Sequence, residues 1–124
     1  MSRVLLVDDD DLSRSTVQAM LSRMGHQVTA VGDGRAALQL CRAEPPELVI
    51  TDLIMPDTDG LELIQEIRKF APSLPIIAIS GGGRVNANEY LTVAQKFGAA
   101  VVLAKPFSNL ELREAVSAAL ASAG

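Results

Sequence analysis

Five carboxylates, a hydroxyl and an amine stand where they could act together in this 124-residue sequence: Asp8-Asp9-Asp10-Asp11, Asp52, Ser80 and Lys105. Each follows a short apolar run, with Val4-Leu5-Leu6-Val7 before the first acids and Leu48-Val49-Ile50-Thr51 before Asp52. Carboxylates gathered from two such runs repel: at about 5 Å and an effective dielectric of roughly 20, each pair costs about 3 kcal/mol. Lys105 offsets one charge. A hard divalent cation, Mg²⁺ or Mn²⁺, offsets two while accepting a few carboxylate oxygens and keeping several waters. A cation, a carboxylate, a hydroxyl and a lysine are also the parts that phosphoryl transfer uses. Metal and lysine neutralise the equatorial oxygens, the carboxylate attacks in line, and the hydroxyl of Ser80 hydrogen-bonds a phosphoryl oxygen.

For these side chains to meet, the apolar runs must be neighbouring strands that end at one edge. Strands are expected over Arg3–Val7, Gln27–Val31, Leu48–Asp52, Leu74–Ser80 and Ala100–Ala104, and their continuous apolar character suits a parallel sheet covered on both faces. Amphipathic spacing predicts helices over Leu12–Met24, Gly34–Ala43, Leu61–Phe70, Ala87–Phe97 and Asn109–Leu120. Asp59 with Glu62, Asn86 with Glu89, and Ser108 with Glu111 each set a capping side chain three residues before an acid. Gly25 and Gly98 stand where helices should stop. Alternating strands and helices imply right-handed crossovers, hence an α/β doubly wound five-stranded parallel sheet with five helices on two faces. Ligands bind such sheets at the carboxyl ends of the strands, where the first, third, fourth and fifth strands deliver the residues above. The second delivers only Gly32-Asp33-Gly34.

The length fits one domain, residues 1–124, long enough to bury about two thirds of its extended surface. A hydrophobic fraction of 48% supports a core, and with only Phe70, Tyr90, Phe97 and Phe107 aromatic that core must be aliphatic. A net charge of −4 argues against nucleic acid or anionic membrane as a direct partner and favours a protein or a bound cation. Cys41 is alone, so no intrachain disulfide can form, and without a signal peptide or membrane-length apolar run the expected location is cytoplasmic.

In their order and strand-end placement these features resemble the receiver domains of two-component response regulators, of the chemotaxis type. The residues that carry the likeness are Val4-Leu5-Leu6-Val7-Asp8-Asp9, Leu48 through Pro56, Gly60, Ser80 and Lys105-Pro106-Phe107, and it covers essentially the whole chain. The resemblance implies a flavodoxin-like strand order, 2-1-3-4-5. It implies that Asp52 is the phosphoacceptor, Asp9 a direct metal ligand, Asp8 an acid holding the metal partly through water, and the backbone carbonyl of Ile54 a further ligand. Ser80 becomes the switch hydroxyl and Lys105 the phosphate-binding lysine, with a cis peptide before Pro106. Donors in such families are phosphohistidines on sensor kinases or histidine phosphotransfer proteins, sometimes small acyl phosphates, and the product switches a downstream protein partner. The module is then a phosphoacceptor rather than an enzyme, a monomer or a weak homodimer.

Two departures from the family pattern bear on output. Three residues before the lysine, where receivers commonly carry Tyr or Phe, stands Val102, which offers one favoured rotamer and no ring to relocate. Signalling must then use the loop after Ser80, the fourth helix or an added partner. The stretch Gly81 to Asn88, with three consecutive glycines, is expected to form a mobile loop whose position depends on phosphorylation. The second departure concerns lifetime. Ile54 and Gly82, each two residues beyond a site residue, cannot orient a water, so self-dephosphorylation is expected to be slow.

Other readings compete at several positions. Asp10 and Asp11 suit the start of a helix through the macrodipole. His26 reads as a surface residue, while Cys41, Met20 and Met24 read as core. The glycine triplet lacks the Lys-Ser or Lys-Thr of a nucleotide loop. An aspartate-nucleophile phosphohydrolase could use the Asp8-x-Asp10 pair, but 124 residues leave no cap region. A receiver-like scaffold that is never phosphorylated would fit Val102, yet need not retain the acids and the lysine.

Overall fold

Apolar strands without polar alternation need cover on both faces, and the arrangement supplies it. The computed structural model describes residues 2–53, 60–80, 92 and 94–122. The elements are β1 (Arg3–Val7), α1 (Asp11–Arg23), β2 (Gln27–Val31), α2 (Gly34–Ala43), β3 (Leu48–Asp52), α3 (Gly60–Phe70), β4 (Ile76–Ser80), α4 (described at 92 and 94–97), β5 (Val101–Ala104) and α5 (Asn109–Ser122). All five strands run parallel in the order β2-β1-β3-β4-β5, the expected flavodoxin-like order.

Because side chains alternate across a strand, the sheet divides its apolar residues between two cores. Leu5, Val7, Val49, Ile76 and Ala78 pack with Ala37 and Cys41 of α2, Leu63, Ile64 and Ile67 of α3 and Ala94 of α4. Val4, Leu6, Leu48, Ile50, Ile77 and Ile79 pack on the other face with Val17 and Leu21 of α1 and with Leu112, Ala115, Val116 and Ala119 of α5. Cys41 is fully buried in the first core, and Met20 and Met24 pack against the second.

Element ends follow local chemistry. Ser108 and Glu111 exchange hydrogen bonds of 2.9 and 3.0 Å, the expected capping box at the start of α5. The Asp33 carboxylate accepts the Ala36 amide at 2.8 Å and caps α2, a cap not expected from the sequence because no acid follows three residues later. Gly25 and Gly98 adopt φ of 93° and 116°, the left-handed conformation that ends a helix. β4 begins at Ile76 rather than Leu74, since the Leu74 amide turns back to the Ala71 carbonyl and Pro75 has no amide for the ladder. The caps expected at Asp59 and Asn86 and the loop 81–88 lie outside the described residues.

Candidate functional site

Strand register decides which side chains can meet. Val7 pairs with Thr51, Asp52 with Ile79 and Ser80 with Ala104, so the strand-end residues Asp8, Asp52, Ser80 and Lys105 emerge at nearly one level. Alternation decides their direction. Asp8, Asp52 and Lys105 continue the rows Val4-Leu6, Leu48-Ile50 and Val101-Leu103 that face α1 and α5, whereas Ser80 continues Ile76-Ala78 on the opposite face.

The Lys105 ammonium accordingly lies 3.3 Å from Asp8 Oδ2 and 3.4 Å from Asp52 Oδ2. Burial alone would lower the lysine's pKa, but the charges of Asp52 and Asp8 and their hydrogen bonds raise it, and the balance is upward. Asp8 and Asp52 are both buried, at 3% and 8% exposure, while Asp9 is exposed. Oxygens of Asp8, Asp9 and Asp52 lie within 4.8 Å of one another, a hard-oxygen donor set that fits a divalent cation. Two backbone contacts fix the acidic turn: the Asp10 amide donates to Asp8 Oδ1 at 3.0 Å, and the Arg14 guanidinium donates to the Asp8 carbonyl at 2.8 Å. Arg14 also pairs with Asp11, which stands in the first turn of α1 as its charge favours.

The end of β3 is set by close backbone approach. The Gly60 amide donates to the Leu53 carbonyl at 2.8 Å, and a Cβ on Gly60 would strike the Asp52 carbonyl oxygen and the Leu53 Cα. Only glycine lets α3 start this close to the residue that follows Asp52. The Lys105–Pro106 peptide is cis, as expected.

Ser80 shares the level of the acids but touches none of them. Its Oγ is the one buried side-chain polar atom without a hydrogen-bond partner among the described residues, a vacancy in bonding that suits an incoming oxygen. Val102 is partly buried against the core that holds Ala94 and Phe97 of α4. Ile54, whose backbone carbonyl was expected as a further metal ligand, lies outside the described residues. One contact was missed from the sequence: Ser13 Oγ sits 2.7 Å from Lys105 Nζ, closer than either carboxylate. The only signal was its position in the first turn of the helix that follows the acids.

Comparison with known proteins gives this geometry its context. Residues 4–117 match the profile of the response regulator receiver domain. The probable transcriptional regulator ycf27 of Guillardia theta is 37% identical over 118 residues, 95% of this chain and 45% of that protein. The DNA-binding transcriptional regulator NtrC of Azospirillum brasilense is 36% identical over 96% of this chain and 24% of its own length. The chain thus spans just under half of the first relative and just under a quarter of the second. The crystal structure of the receiver domain of NtrX from Brucella abortus superposes with a TM-score of 0.88 at 35% identity, covering 95% of this chain and 98% of that one. With residues 4–117 matching the family profile and the fold matching the NtrX receiver, the chain belongs to the receiver domains of two-component response regulators and is a phosphorelay receiver.

Proposed function

We propose that Asp52 is the phosphoacceptor of this receiver, with Lys105 and Ser80 binding the phosphoryl oxygens and with Asp8, Asp9, Asp52 and the Ile54 carbonyl holding Mg²⁺. The observation that carries the reading is the Lys105 ammonium held between Asp8 and Asp52 at 3.3 and 3.4 Å, beside a trio of carboxylates able to share a cation. When bound there, Mg²⁺ supplies positive charge to the oxygens of the transferring group. Asp52 Oδ forms the new P–O bond as the P–N bond of a donor phosphohistidine breaks, and the imidazole nitrogen keeps the electron pair of that bond. The Lys105 ammonium neutralises charge on one phosphoryl oxygen, and the unpartnered Ser80 hydroxyl donates to another. The chain modifies itself and turns over no other substrate.

The donor in this reading is a sensor histidine kinase or a histidine phosphotransfer protein, and the recipient of the signal is a downstream protein. NtrC is named a DNA-binding regulator, but with a net charge of −4 we assign nucleic-acid contact to no surface of these 124 residues. No described helix is long and apolar enough to cross a membrane, in keeping with a cytoplasmic setting. This receiver is a monomer or a weak homodimer, and the NtrC4 receiver domain, 30% identical and described as a beryllofluoride-activated dimer, favours the second of these. With Val102 in place of an aromatic ring, the switch must use the loop after Ser80, α4 or an added partner.

The test is intact mass after incubation with Mg²⁺ and acetyl phosphate. A gain of one phosphoryl group is expected in the wild type and is lost in Asp52→Ala and in a chelated sample. A gain that survives Asp52→Ala would move the acceptor elsewhere. Decay of the modified protein is expected over many minutes, because neither Ile54 nor Gly82 has a side chain that can orient water.

A further inference from the structure

The shortest polar contact of Lys105 is with a residue that carries no charge. Its ammonium has three hydrogens and meets three oxygens among the described residues, of which Ser13 Oγ at 2.7 Å is nearer than Asp8 Oδ2 at 3.3 Å or Asp52 Oδ2 at 3.4 Å. Ser13 reaches it because α1 packs on the sheet face toward which the Val101-Leu103-Lys105 row points, and residue 13 lies in the first turn of that helix, level with the acids. Serine in this part of a helix commonly turns its hydroxyl back to the local backbone. Here it reaches across to the fifth strand instead.

The difference between a hydroxyl and a carboxylate matters once the site is in use. Asp52 loses its negative oxygen as an anchor when it becomes an acyl phosphate, and Asp8 loses part of its pull on Lys105 when it shares its charge with a cation. Were these two acids the only anchors, the flexible lysine would loosen as the reaction came to depend on it. A neutral hydroxyl keeps its hold through both changes and removes none of the ammonium's charge. We propose that Ser13 is a positioning residue for phosphoryl transfer, its hydroxyl holding the Lys105 ammonium at the strand edge independently of Asp8 and Asp52. This rests on the reading of Asp52 as acceptor and Lys105 as its phosphate-binding partner.

Two readouts test it in the full chain. The first is the rate of phosphorylation by acetyl phosphate with Mg²⁺, and the second is the acylation rate of Lys105 in metal-free protein, read by peptide mass with Lys69 and Lys96 as internal references. Ser13→Ala is expected to slow phosphorylation roughly tenfold, the size of a hydrogen bond to a charged group. It should also speed acylation of Lys105 while leaving Lys69 and Lys96 unchanged, and Ser13→Thr should restore both rates toward wild type. Alanine is a strong helix former, so the variant should fold, which its melting temperature checks. Phosphorylation at the wild-type rate or faster overturns the proposal. So does a slowed rate with Lys105 acylation unaltered, because that would be a structural effect not passing through the lysine. Failure of the underlying reading shows separately, as a wild-type protein that gains no phosphoryl group at Asp52, and the acylation readout still reports on Ser13 in that case.

Discussion

Lys105 is pulled in two directions, by burial and by the neighbouring carboxylates, and the carboxylates prevail. Burial favours the neutral amine, but Asp52 and Asp8 favour the ammonium more, so its pKa in the folded protein lies above the ordinary 10.5. A group with a raised pKa stabilises the fold at pH below its unfolded value, and that contribution disappears as pH climbs through the folded value. Replacing Lys105 with Met leaves the buried carboxylates of Asp8 and Asp52 without their cation at neutral pH. In chelated samples, Lys105→Met should therefore melt below wild type at pH 8, and the two should converge as pH rises past about 10.5. A gap that stays constant over that range would mean the lysine stabilises through its aliphatic stem instead. At this scale the sequence was informative about charged residues, since acids ending two strands require a counter-charge wherever they meet. Ser13 was not legible, because nothing local tells a serine facing solvent from one facing a lysine 92 positions away.

Elements place these side chains by where they begin and end, and two helix starts differ in kind. Ser108 caps α5 through exchanged hydrogen bonds with Glu111, a local device that any helix could carry. Gly60 starts α3 against the backbone that follows Asp52, where a methyl group has no room and the obstructing atoms are main chain. Alanine at position 60 should gain about 1 kcal/mol in helix propensity and lose about 1–3 kcal/mol to overpacking, the loss prevailing because rigid backbone must shift. Gly60→Ala should thus unfold at lower urea and also accept phosphate more slowly, since the displaced backbone carries Asp52. Ser108→Ala should cost about 1 kcal/mol and leave the phosphorylation rate unchanged. Equal rates in both variants would show that the α3 approach is irrelevant to the site. Periodicity made the strands and most helix ends readable to within a residue or two, as at α1, which begins at Asp11 rather than Leu12. The close approach at Gly60 was not readable in these terms, because a glycine at a helix start is equally consistent with a simple turn.

On the scale of the whole molecule, stability and function oppose each other at one edge. Two aliphatic cores fasten both faces of the sheet, and at the amino-terminal edge Arg68 bonds the carbonyls of Gly98 and Ala71 at 2.7 and 3.0 Å. At the carboxyl edge three acids hold oxygens within 4.8 Å of one another, with Lys105 the ammonium that touches two of them. A domain of this size unfolds nearly as a unit, so repulsion at that edge lowers the stability of the entire chain. Removing one charge should relieve it. In chelated buffer, Asp9→Asn should be more stable than wild type by about 1 kcal/mol, a small figure because Asp9 is exposed and its repulsion is screened. Adding Mg²⁺ should reverse the ranking, since a ligand bound only by the folded state adds about 2.7 kcal/mol at a hundred times its dissociation constant. Wild type should gain most of that and Asp9→Asn little, so their melting curves should cross as Mg²⁺ is titrated. Parallel gains in the two proteins would place the cation away from Asp9. A destabilised Asp9→Asn in chelator would mean that this carboxylate is held by contacts whose value exceeds the repulsion it suffers.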